Sequence, residues 1–245
     1  MQFPTPQNIL SDPLIIRVRA TFFSEEGKEA TPATVIGYHQ LRVRVSDKAH
    51  VPLLARYRAI DERNAQLIEE VQRTMPQLNV EHLNDFVEVL GAITNYMGVS
   101  LQQALYREGL VVYETDFQKN LLYHLRTWLG EEVREAPKQG GGPTDIQYKS
   151  VTVELKVEKE ISDRRKIIEK YLSQTTQYSS ANGAQLGILC VLDLTEKDKP
   201  PANPQNQITL ETPEVHGFDS TLEFPTKIAA VIIDGNLRLP SSYSH

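Results

Sequence analysis

At 245 residues the chain is long enough for one large domain or two small ones, each with a hydrophobic core. Its formal charge of −6 at pH 7 excludes a polycation that holds nucleic acid through bulk charge, so such a partner has to meet a local basic face. The single cysteine, Cys190, sits in an apolar run and excludes an intrachain disulfide framework, which suits a reducing cytoplasm.

Residues 1–13 hold three prolines and read as an extended lead-in. Over 14–23, Ile16, Val18, Ala20 and Phe22 alternate with Arg17 and Arg19, the period of a strand with one buried face. A second strand is expected over 34–45, where Leu41, Val43 and Val45 alternate with Arg42 and Arg44. The four arginines read as a solvated sheet face, the commoner arrangement, or as a phosphate-binding patch. Helical spacing follows over 53–73, ended by Met75-Pro76. It returns over 80–97, where Leu83, Phe86, Val87, Leu90 and Ile93 share a face and Gly98 is the expected stop. Residues 100–107 read as a short third helix. No catalytic constellation is found here, and residues 1–112 are expected to form a small α+β domain.

From Thr115 the pattern changes. Thr115 and Gln118 have the spacing of a capping box, opening a helix with Phe117, Leu121, Leu125 and Trp128 on one face and Gly130 at its end. A strand is expected over 132–136. Gly140-Gly141-Gly142-Pro143-Thr144-Asp145-Ile146 then leads into two short strands joined by a tight turn at Lys149-Ser150. Partners across such a hairpin have numbers that sum to 299, which sets Asp145 opposite Glu154. Two facing carboxylates repel, and a chain that keeps them usually holds a cation between them. Strand alternation puts Lys156 on the face of Glu154, about 7 Å along. Two acids and a lysine on one face suit Mg²⁺ and a phosphate. Further on, Ser162 is the expected cap of a helix to about residue 180, with Ile168, Tyr171, Leu172 and Thr175 turned inward. Residues 186–192 form a continuous apolar strand of the kind buried on both faces. After Thr195 a proline-rich stretch reads as loop. Residues 227–233 form a last strand, and Asp234-Gly235 signals a turn after which 237–239 pair back.

The order helix, three strands, helix, strand, with Asp…Glu-x-Lys on its second and third strands, resembles the PD-(D/E)xK, or restriction-endonuclease-like, nuclease superfamily. Pro143-Thr144-Asp145 stands where the family has Pro-Asp, with one residue inserted, and Glu154-Leu155-Lys156 is the (D/E)xK tripeptide. Gln174 and Tyr178 match the Gln-x-x-x-Tyr element of the RecB-type branch. The resemblance implies an α/β restriction-endonuclease-like core over 113–245 and hydrolysis of DNA phosphodiesters, RNA not being excluded. The setting implied is restriction, repair or anti-phage defence. It implies Mg²⁺, for which Mn²⁺ would substitute, held by Asp145, Glu154 and the Leu155 carbonyl. Lys156 would position or help deprotonate the attacking water and stabilise the transition state, with Gln174 and Tyr178 one turn apart on a face overlooking the site. Arg164, Arg165 and Lys166 would contact phosphates. One element departs from the family: Gln118 occupies the place where the first helix often carries an acid. Asp116 or Glu114 could swing in instead, but both are out of register, which leaves a second metal open. The alternative is a catalytically inactive nuclease-fold module for nucleic-acid binding or assembly. A homodimer would suit cutting both strands with one site per chain. The six histidines make no zinc spacing with Cys190. No apolar run nears the roughly 18 residues of a membrane span, and the N-terminus lacks a signal-peptide layout, so a cytoplasmic protein without a membrane partner is expected.

Overall fold

The computed structural model describes residues 14–17, 40–43, 54–135, 146–181, 185–197, 203–213 and 226–238. The chain divides into two compact units, Met1–Val51 and Pro52–His245. In the first, β1 (Leu14–Arg17) pairs antiparallel with β2 (Gln40–Val43), with Arg17 opposite Gln40 and Arg42 opposite Ile15. Arg19 and Arg44 lie outside the described residues.

The second unit is of the α/β class. Its helices are α1 (Arg58–Thr74), α2 (Val80–Gln103), α3 (Glu114–Leu129) and α4 (Arg164–Ala181). The strands are β3 (Val133–Glu135), β4 (Ile146–Tyr148), β5 (Val151–Glu158), β6 (Leu186–Asp193), β7 (Ile208–Glu211) and β8 (Lys227–Asp234). They form one mixed sheet in the order β3-β4-β5-β6-β8-β7. β3, β4 and β5 run antiparallel in succession, β5, β6 and β8 run parallel, and β7 closes the far edge antiparallel.

Apolar residues cover both faces of the sheet. On one, Phe117, Leu121 and Leu125 of α3 join Phe86, Leu90, Ile93 and Met97 of α2 against Val151, Val153 and Leu155. On the other, Ile167 and Ile168 of α4 pack with Leu189, Val191, Ile228 and Ile232. Each fully buried side chain of this size contributes about 1.5–3 kcal/mol. The central strands β6 and β8 are buried along their whole length, as their unbroken apolar runs require.

The expected boundary at 112/113 falls inside this unit. α2 packs over β6 and β8 with its stripe (Phe86, Leu90 and Ile93), and the stripe of α1 (Ile60, Leu67 and Val71) completes the same core against α2 and the β7 edge. Gly98 does not stop its helix, and the short helix expected over 100–107 merges into α2, which ends at Ala104 in the left-handed conformation. A glycine is needed at 98 because an added Cβ would overlap the Tyr57 ring. The proline-rich stretch is not all loop. Asn203 caps a 3-10 turn, Pro204–Gln207, that feeds the edge strand β7. Leu237 does not fold back on β8 but bridges to Arg107, exchanging backbone bonds with Tyr106 and Glu108.

Candidate active site

The hairpin has the register that the sequence dictates. Ile146 faces Val153, Gln147 faces Thr152 and Tyr148 faces Val151, with Lys149 and Ser150 in the turn. Lys149 adopts φ 48°, a left-handed conformation that lysine seldom takes. Its Nζ is drawn to Asp85 Oδ1 (3.2 Å), Glu88 Oε2 (3.3 Å) and Glu132 Oε2 (3.7 Å), while Tyr148 Oη donates to Glu88 Oε2 at 2.6 Å. An acidic face of α2 thus pins the turn. Asp145, one step past this ladder, lies outside the described residues, as does the glycine run before it.

β5 continues five residues beyond its described pairing with β4. Glu154 and Lys156 lie beside Leu189 and Val191 of β6, on the face that α4 covers. Glu154 is fully buried and Lys156 is only 7% exposed. Lys156 Nζ lies 2.5 Å from Glu154 Oε1. Even so, neither Glu154 oxygen receives a well-formed hydrogen bond among the described residues. A buried carboxylate with two unfilled acceptors is costly, and ion pairing alone does not complete it.

The edge of β5 turned away from β6 adds two oxygens. The Glu158 carbonyl accepts from Leu194 N–H on the β6 side. The N–H and C=O of one strand residue point the same way and alternate along the strand, so those of Leu155 and Val157 point away from β6. The carboxylate of Glu114, the first residue of α3, lies near enough to the Val157 N–H to be stabilised by it. Burial raises the Glu114 carboxyl, nearby Lys156 and the Val157 N–H lower it, and Glu154 raises it further; the net shift is upward. Lys159 Nζ over the Tyr113 ring, 5.5 Å from its centroid, fastens the start of α3 to this end of β5.

Glu114, which spacing alone sets out of register with a first-helix acid, is thus the acid that lies near Glu154 and Lys156. The capping box expected at Thr115 and Gln118 is displaced by two residues. Tyr113 is the cap residue, and its N–H donates to Asp116 Oδ2 at 3.2 Å. Gln118 is therefore a buried residue within α3 and not a cap partner. The signal for Glu114 was its place at the helix start, where an acid also meets the positive end of the helix dipole.

On α4, Gln174 and Tyr178 lie one turn apart, and their side chains lie outside those described. The cap is Asp163, not Ser162: its Oδ1 accepts from Lys166 N–H at 3.0 Å. The basic trio diverges. Arg165 is exposed and paired with Glu169 at 3.1 Å, Lys166 is exposed, and Arg164 Nη1 donates to the Asn206 carbonyl. Behind the site, at the end of β5, Glu158 Oε2 accepts from Lys170 Nζ (2.7 Å) and Tyr171 Oη (2.9 Å). Its Oε1 accepts from the N–H groups of Lys159, Glu160 and Ile161. Burial pushes the Glu158 carboxyl up, but Lys170, the Glu160 and Ile161 amides and Tyr171 outweigh it and hold it at about 2.

Cys190 is buried and free, and burial pushes its thiol up, so it has no reactive character. No group of three or more His, Cys, Asp or Glu side chains placed to hold a metal ion occurs among the described residues, and no helix among them is long and apolar enough to cross a membrane. Comparison with family models, with curated proteins and with solved structures yields no match.

Proposed function

We propose that the second unit is a Mg²⁺-dependent nuclease of the restriction-endonuclease-like class, hydrolysing DNA phosphodiesters in a restriction, repair or anti-phage setting. The observation that carries this reading is Glu154: a fully buried carboxylate without a well-formed hydrogen bond among the described residues, in contact with a buried lysine and beside Glu114. The order α3-β3-β4-β5-α4-β6 supports it, as does the hairpin register, which holds from Tyr148–Val151 to Ile146–Val153.

The residues present fit a hard divalent cation. Glu154, Glu114, the Leu155 carbonyl and Asp145 supply only oxygen donors, the set that Mg²⁺ or Mn²⁺ prefers. When bound, such an ion activates water and neutralises charge developing on the phosphate. Lys156 holds protons at Nζ beside Glu154, where it orients the attacking water and stabilises negative charge in the transition state. Glu114 supplies the first-helix acid that Gln118 cannot. Gln174 and Tyr178 would orient water, lysine or the nucleic-acid backbone from α4.

A binding module without catalysis is favoured by one observation, the direct Lys156–Glu154 ion pair, which compensates the buried charge without a metal. Cleavage of plasmid and single-stranded DNA and of RNA separates the two readings. The nuclease reading predicts cutting in Mg²⁺ or Mn²⁺ that EDTA abolishes. Asp145→Ala and Lys156→Ala should each slow it by roughly two orders of magnitude or more. Binding without cutting on every substrate favours the module, and cutting that survives both substitutions overturns the site.

A further inference from the structure

A second polar site lies between α1, the start of α4, the 3-10 turn and β7. It is a pocket of about 440 Å³ whose lining includes Glu62, Arg63, Gln66, Arg164, Gln205 and Thr209. That is the size of a small-ligand site. None of Glu114, Glu154 or Lys156 lines it.

Its charge is only partly balanced, by the buried Asp234 carboxylate, which interacts through space with Arg164 and accepts from Gln207 Nε2 at 2.8 Å. Arg63 Nε donates to the Ile208 carbonyl at 2.8 Å and its Nη1 to Gln66 Oε1 at 3.4 Å. Arg164 Nη1 donates to the Asn206 carbonyl. Each guanidinium is thus held by a neutral carbonyl, and neither has a carboxylate within ion-pair distance among the described residues. Glu62, the acid of the lining, is paired with Arg58 at 2.9 Å. Arg164 Nε and Thr209 Oγ1 are buried without a hydrogen-bond partner among the described residues. Two arginines positioned in advance, with donors unused, are arranged for an anion.

We propose that this pocket binds a phosphate monoester, as carried by a mononucleotide or by the 5′ end of a strand. The two guanidiniums come from different helices, α1 and α4. A tetrahedral phosphate offers oxygens to both, whereas a planar carboxylate serves one fork. Gln66 and Gln205 add amide groups for the rest of the ligand. The inference does not depend on the nuclease reading.

The test is calorimetric titration of the full chain with dAMP, deoxyadenosine and acetate. dAMP is expected to bind saturably at one site, and deoxyadenosine and acetate not to bind. Arg63→Gln and Arg164→Gln should each weaken dAMP about tenfold or more, the worth of a charged hydrogen bond. Lys119→Gln, at an exposed position on α3 outside the lining, should leave dAMP affinity unchanged, and thermal melts of every variant control for folding. Arg164→Lys, which keeps the charge but not the fork, should recover part of the affinity. A 5′-phosphorylated oligonucleotide that displaces dAMP, where its 5′-hydroxyl counterpart does not, assigns the strand end. dAMP binding without that displacement assigns the free nucleotide. No saturable dAMP binding, equal binding of deoxyadenosine or acetate, or unchanged affinity in both folded arginine variants overturns the proposal.

Discussion

Glu158→Gln removes a buried carboxylate to which three backbone amides, Lys170 and Tyr171 all donate. The folded state holds this carboxyl at about 2 against an ordinary 4.5. At about 1.4 kcal/mol per unit, the displacement corresponds to about 3 kcal/mol of stability. The folded pKa lies below the unfolded one, so this contribution is complete above pH 4.5 and is lost as the pH falls towards 2. Chemical denaturation from pH 7 to pH 2 should therefore show Glu158→Gln less stable by up to about 3 kcal/mol at pH 7, with the gap closing through the acid range. The gap at neutral pH is an upper value, because the amide keeps an acceptor. Parallel stability profiles for wild type and Glu158→Gln between pH 5 and pH 2 would refute the reasoning. Glu158 also ties the end of β5 to α4, so the same variant reports on how α4 is anchored over Glu154 and Lys156.

Three other outcomes follow from the packing and the site. Lys156→Met should destabilise the protein by about 3–5 kcal/mol, because it leaves Glu154 buried and unpaired, and Glu154→Leu added to it should recover most of the loss in urea denaturation. Glu114→Gln should leave stability at pH 7 unchanged or raised, since burial raises this carboxyl and its charged form costs stability at neutral pH; the same variant should weaken metal-dependent cleavage. Gly98→Ala should cost about 1–3 kcal/mol through collision with the Tyr57 ring, with a smaller cost in a Tyr57→Ala background, both read from thermal unfolding.

The hairpin was legible because a two-residue turn leaves only one register, and the same arithmetic carries it from Tyr148–Val151 to Ile146–Val153. The strands over 186–192 and 227–233 were legible because a strand buried on both faces must be apolar throughout. Less of α1 and α2 could be read. A helical stripe says that a face is buried, not against what, and here the partner is a sheet whose strands all come later in the chain. Gly98 misled because glycine ends helices by backbone freedom, whereas here it is required for close approach to Tyr57. Glu114 was set aside as out of register for a related reason. The cap lies at Tyr113, where no side chain of the usual capping type marks it, so the start of α3 and its acid were placed out of register.

Crystals grown with Mn²⁺ and measured at its anomalous edge test the central claim most directly. The account predicts one strong peak at about 2.1 Å from a Glu154 oxygen, with Glu114, Asp145 or the Leu155 carbonyl completing the donor set. Lys156 would be displaced from its direct contact with Glu154. An undisturbed Lys156–Glu154 pair with no peak beside it, or a peak only elsewhere in the chain, would contradict it.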